Sequence, residues 1–198
     1  MTAATQDQFS PLQELRQACH SSHEALHVHP LLAPLTQESI ALSDYRWIIQ
    51  AFDAAYNQME AVRHFIPSDL PDAPGLEWLE CDMAFHGISP REVAPVYYPD
   101  IDTYSRLAGY LYVKQGSTLG GRVISKHLTR HLGLVDGVSN HFFAGYGEET
   151  GPQWKRFTRE LEGSGDVLVM DEVVEQALAS FRMIEICANK LLEQKRAC

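Results

Sequence analysis

The sequence predicts an all-α fold, a single-domain bundle of helices packed in pairs. Three observations carry this. Helix-like segments are divided by proline and glycine breaks along the whole chain. No segment sustains the apolar–polar alternation of a half-buried strand, and VLVM at 167–170 is too short to make one. The 198 residues, 45% of them hydrophobic, suffice for one well-filled core, and neither an internal repeat nor a low-complexity tract divides them.

Each element can be justified in turn. Ser10-Pro11 opens the first helix, with Ser10 as N-cap and Pro11 at the first helical position. It runs through LQELRQACHSSHEALH and stops before His29-Pro30. Ser43 is expected to cap a second helix, DYRWIIQAFDAAYNQMEAVRHFI, ended by Pro67. A third covers 75–86 and stops at Gly87. The stretch ISPREVAPVYYP, with Pro90, Pro95 and Pro99, reads as a loop. A long helix spans 102–132, and 136–147 is short and ambiguous. Gly151-Pro152 leads into a helix at 153–162, and Asp171 opens a last one reaching about 194. Residues 1–9 are expected to be flexible.

Charge and composition narrow the function. With 16 Lys+Arg against 26 Asp+Glu the formal charge is −10, which disfavours a nucleic-acid partner. No apolar run reaches the ~18 residues of a membrane span. The polar start MTAATQDQFSPLQ lacks the apolar core of a secretory signal, so a cytoplasmic protein without a membrane partner is expected. Cys19, Cys81, Cys187 and Cys198 form no CxxC pair, so they read as reduced thiols.

Two constellations remain. His20, His23 and His27 share one face of the first helix, with His29 just beyond it. Such a stripe suits zinc or copper, a single axial ligand to haem iron, or histidines without a ligand. In the long helix, GYLYVKQGSTLGGRVISK places Gly116 and Gly120 on one face, with Gly109 on nearly the same stripe. Each glycine costs about 1 kcal/mol against Ala in a helix interior. A bare stripe admits either another helix or a flat ligand, and the adjacent pair Gly120-Gly121 invites a kink.

The segment YVKQGSTLGGRVI resembles the distal helix of the haem oxygenases, with its Gly-x-x-x-Gly signature. LRQACHSSHEALH resembles their proximal helix, and the register places the iron ligand at His23 and its leading basic residue at Arg16. The resemblance extends over most of the chain. WKRFTRE is similar to the stretch whose basic residues approach the haem propionates, which puts those roles on Lys155 and Arg159, and Phe181 falls on the aromatic lining the far side of the pocket. His20 stands where a further basic residue approaches a propionate. Ser117 follows the first distal glycine where animal members carry Asp, as bacterial members often do, Cys19 replaces a Thr of the proximal run, and His27 stands where the family often has an acid.

The resemblance implies a bacterial-type haem oxygenase in which haem b, both cofactor and substrate, lies between a proximal helix and a kinked distal helix. It implies O2-dependent cleavage to biliverdin, of the IXα isomer, with Fe2+ and CO. Gly116, Ser117 and Gly120 would line the oxygen site, and Gly121 would touch the cofactor. No dinucleotide-binding glycine fingerprint or iron–sulfur cysteine set is present, so electrons must come from a ferredoxin or flavoprotein reductase. A bilin-accepting protein such as a bacteriophytochrome is a further partner the resemblance allows. A non-catalytic haem carrier or sensor on the same fold is the alternative. A thiaminase-type enzyme, built on a cysteine such as Cys81 with acids beside it, is the other.

Overall fold

The computed structural model describes residues 10–198; residues 1–9, expected to be flexible, lie outside the described residues. Ser10 accepts the Gln13 N–H while the Gln13 side chain accepts the Ser10 N–H, closing a capping box that starts α1 (Pro11–His27). Next come α2 (Leu42–Glu60), α3 (Gly75–Phe85), α4 (Tyr104–Leu132), α5 (Thr150–Gly163) and α6 (Met170–Ala197), with short 3-10 turns at Ala33–Thr36 and Gly147–Glu149. Among the described residues there is no strand, only isolated bridges.

Two expectations about α2 need correcting. Its cap is Ala41, with the Asp44 carboxylate reaching back to accept the Ala41 N–H at 3.0 Å, and not Ser43. It ends at Glu60, several residues before Pro67. There the chain turns to pair with residue 101: Val62 O accepts the Ile101 N–H at 3.1 Å, and Ile101 O accepts the His64 N–H at 3.0 Å. Proline constrains only the residue before it, and tertiary pairing ended the helix earlier.

α6 is the central element. It packs on α1, α2 and α4, burying Val173, Ala177, Phe181, Ile184, Ala188 and Leu191. α1 and α4 both lean on α6 and α5 rather than extensively on each other. The loop before α4 is pinned along this core, with Val96 N–H donating to Gln58 Oε1 at 2.8 Å and Tyr98 bonded to Ser180 at 2.7 Å. No helix among the described residues is long and apolar enough to cross a membrane.

α4 continues as helix through its four glycines, so Gly120-Gly121 does not break it. Gly133, at φ +68°, closes it in the left-handed conformation that glycine adopts without strain. Two of the helical glycines are packing residues. A Cβ on Gly109 would fall 2.2 Å from the Val173 carbonyl oxygen of α6. One on Gly121 would fall 2.7 Å from the Phe143 carbonyl oxygen. Phe143 is itself held in place, because the fully buried Asp82 of α3 accepts hydrogen bonds from the His141 and Phe142 N–H groups and from Tyr45 Oη.

The other face of α4 is fastened by charge. Lys114, 5% exposed, donates to Glu60 at 2.6 Å and sits 2.8 Å from Asp72. Tyr110, one turn earlier, donates to Glu60 at 2.7 Å, and Arg63 bridges Glu60 and Asp72. Burial raises the Glu60 carboxyl, but the Lys114 ammonium and the donated hydrogen bonds outweigh it and hold the pKa below its ordinary value of 4.5.

Gly109→Ala is expected to destabilise the fold by about 1–3 kcal/mol through overpacking. In a chain of this size that lowers Tm by about 2–4 °C per kcal/mol. The Glu60 cluster gives a second outcome. A carboxylate with a depressed folded pKa stabilises fully above its unfolded value and loses that contribution as pH falls through the folded one. Urea midpoints should therefore hold steady above pH 4.5 as far as Glu60 is concerned and decline below it. Lys114→Met should cost roughly 3 kcal/mol, the low end for a broken buried pair because water screens part of Asp72's share. It should also move the acid decline to higher pH.

Candidate functional site

α1 turns Leu15 and Cys19 inward and leaves Arg16, His20, His23 and His27 exposed. Burial pushes the Cys19 thiol up to about 11, so it stays protonated and inert. The His23 ring meets Phe181, buried on α6, edge-on at 6.1 Å, and lies 4.5 Å from the His27 ring. The structure thus joins His23 and Phe181, which are far apart in sequence. His29 belongs to the core instead. Its Nδ1 accepts the Leu31 N–H at 3.1 Å, which puts the ring proton on Nε2, donating to Asn189 Oδ1 at 3.1 Å.

On α4 the remaining glycines behave unlike Gly109 and Gly121. A Cβ on Gly116 would meet only Trp154, at 3.9 Å, and one on Gly120 would meet nothing within 4 Å. No protein atom explains why these two positions are bare. Leu119 and Val123 flank Gly120 and are exposed, Val123 by 72%. The result is an apolar strip with room above its backbone, the sort of surface that a flat apolar ligand covers. Gly121, expected to touch a cofactor, is on the packed side: its missing side chain makes room for Phe143.

Ser117 stands beside the open strip and its hydroxyl donates to Lys114 O at 2.7 Å. Tyr56 Oη lies 3.1 Å from Ser117 Oγ. With the Ser117 proton already given to the carbonyl, Tyr56 is the donor in that pair. Burial drives the Tyr56 phenol well above its usual range, and the bond to Ser117 opposes this only in part, so Tyr56 keeps its proton.

α1 and α4 come within electrostatic reach of each other at Tyr112. Burial raises its phenol to about 12, Cys19 adds to the rise, and Arg16 opposes it. One turn further along each helix stand His23 and Gly116. Tyr112 also lies over Trp154, with ring centroids 6.1 Å apart. On α5, Lys155 and Arg159 are exposed beside Trp154 and Phe157, and Arg159 is paired with Glu160 at 2.6 Å. Arg16 and Lys155 form no ion pair among the described residues, and His20 forms neither an ion pair nor a side-chain hydrogen bond among them.

Sequence reasoning missed Tyr56, Tyr112 and Trp154, and missed that Lys114, inside the quoted glycine stretch, is buried. Tyr56 and Glu60 lie one turn apart on α2, the only sequence hint of a polar face there. Two cavities lie elsewhere. One of about 630 Å³ is lined by Arg46, Trp47 and Arg91, and one of about 470 Å³ lies between Tyr97 and α6. Neither has a histidine or cysteine in its lining. Cys81 is exposed, whereas Asp82 beside it is wholly engaged with Tyr45, His141 and Phe142. Of the acids beside Cys81, Asp82 is thus committed to the core.

No protein-family model matches the sequence, and no protein of curated function matches it. Solved structures do. A haem oxygenase from Leptospira interrogans aligns with TM-score 0.70 and 17% identity over 91% of this chain and 100% of its own. The NO- and CO-bound haem oxygenase of Neisseria meningitidis aligns with TM-score 0.69 and 15% identity over 94% of each chain. A haem oxygenase from the cyanobacterium Synechocystis, in complex with haem, aligns with TM-score 0.67 and 16% identity over 96% of this chain and 97% of its own. Nearly the whole chain therefore adopts the all-α haem oxygenase fold.

Proposed function

We propose that this protein binds haem through His23 and cleaves it, with O2 and electrons from an external donor, to biliverdin, Fe2+ and CO. The observation that carries this reading is the pair Gly116 and Gly120, bare in a helix where a Cβ would meet only Trp154 at the first and nothing within 4 Å at the second, within a fold shared with haem oxygenases. The residues fit a haem: an exposed imidazole on α1, an open apolar strip on α4 that any Cβ would narrow, and uncommitted cations at Arg16 and Lys155.

Bound haem supplies the iron that takes up O2 and the meso carbon that is oxidised. The chain's own residues do the rest. His23 would hold the iron from α1 through one ring nitrogen, and iron so held is what supplies O2 chemistry. Gly116 and Gly120 keep side chains out of the space over the α4 backbone, which would leave room there for a macrocycle and O2. Ser117 and Tyr56 hold a hydroxyl proton each beside that space, in a chain ending on the Lys114 carbonyl. Water in the same space would relay protons to O2. Arg16, Lys155 and Arg159 orient the propionates by charge-assisted hydrogen bonds, at which point Arg159 must leave Glu160. An exposed ion pair costs at most about 1 kcal/mol to give up. His20 is within the same basic fringe.

The deciding experiment adds haemin, then a reductant in air, and follows the Soret band and the appearance of a green bilin. His23→Ala should lose the histidine-ligated spectrum and regain it with added imidazole, while His20→Ala and His27→Ala keep it. Haem bound through His23 but never converted would make the protein a carrier or sensor. Gly120→Ala should bind haem and melt no lower than the parent, since Ala is the better helix former. Its bilin yield per haem should fall about tenfold or more, ~1.4 kcal/mol of lost transition-state stabilisation, with a gain in peroxidase activity. A normal yield would remove the functional account of Gly120.

Regiochemistry tests the anchors. The intact protein should give the IXα isomer, and Lys155→Ala with Arg159→Ala should give a mixture. One unchanged isomer from the double variant would shift the anchoring to Arg16.

A further inference from the structure

α1 carries a donor set of which ligation of a single haem uses one member. His23, Glu24 and His27 each offer one ligand atom, and these atoms lie within 4.8 Å of one another. His23 Nδ1 is 3.5 Å from the Glu24 carboxylate, and the His23 and His27 rings stand 4.5 Å apart at 74°. Histidines at i and i+4 are the spacing at which one helix turns two imidazoles toward one metal ion. Two imidazoles and one carboxylate, with the remaining positions open to water, suit ferrous iron and its first-row neighbours. All three side chains are exposed, so rotamer changes suffice to close the small gap to bonding distance. His29 takes no part, because both its ring nitrogens are engaged.

We propose that His23, Glu24 and His27 form a site for one divalent first-row transition-metal ion, ferrous iron among them, in the haem-free protein. We further infer that this ion and haem exclude each other. A neutral imidazole has one free lone pair, its other nitrogen carrying the proton, so the His23 ring serves one metal at a time. Only this exclusion rests on the haem reading above; the ion site stands on its own geometry. Ferrous iron freed from a macrocycle at His23 would meet two further protein donors within one helical turn, with no change of oxidation state.

The test uses the full, untagged chain, haem-free and stripped of metals, titrated with Co2+ and followed by its visible absorption bands. One Co2+ per chain is expected. His27→Ala and Glu24→Gln should each weaken binding at least about tenfold, since changing even an outer-shell partner of a metal site costs that much. His20→Ala should bind as the parent does. One equivalent of haem should release the Co2+, and His27→Ala should still give the Soret band. Undiminished Co2+ binding by His27→Ala would overturn the site, and Co2+-loaded protein taking up haem without releasing the ion would overturn the exclusion. Co2+ binding through the three residues with no His23-dependent Soret band would support the ion site while refuting the haem assignment and the exclusion with it.

Discussion

The orientation of α4 depends on two places where its backbone lies directly against other backbone. At Gly109 it rests on the Val173 carbonyl of α6, and at Gly121 on the Phe143 carbonyl. Backbone-to-backbone contact leaves no side chain to adjust, so it fixes rotation as well as distance. On an ideal helix Gly109, Gly116 and Gly120 fall on nearly one stripe. α6 fills that stripe at Gly109, and from Gly116 on only Trp154 comes near it. The open strip is therefore the continuation of a packing groove beyond the point where its partner helix begins.

This explains why the sequence was informative about the glycines and still insufficient. Four glycines in one helix announce that something approaches closely, but the letter is the same whether the visitor is a carbonyl or a ligand. Only the neighbours separate Gly121, which packs, from Gly120, which does not. Local signals read well: Ser10-Pro11 started α1, and the break at Gly87 and the last helix lie within a few residues of their expected places. Signals set by distant partners did not. The end of α2 is decided by residue 101, and Lys114 looks like any helical lysine until Glu60 and Asp72 close over it. The contact between His23 and Phe181 was not legible at all, since family resemblance put Phe181 only in the lining of the pocket.

Asp82 shows how far the support extends. A carboxylate with no solvent contact would be costly unless fully bonded, and it is satisfied by Tyr45, His141 and Phe142. Those bonds set Phe143, Phe143 sets Gly121, and Gly121 sets the turn of α4 that carries Gly120. A polar group on α3 thus holds the rim of the candidate site without touching it.

The cluster under α4 contains two cations, Lys114 and Arg63, and two anions, Glu60 and Asp72, and so sums to zero. Its field falls off faster than that of a single charge, and little of it reaches the open side of the helix. The potential above Gly116 and Gly120 is then left to the exposed charges of α1, α4 and α5, Arg16 and Lys155 among them, against a chain of net charge −10. Mobile ions screen exposed charges over about 10 Å at 0.1 M salt and hardly touch buried ones. Ionic strength therefore acts on whatever approaches the open strip through its charges, while the buried cluster that fastens the helix is little affected by salt.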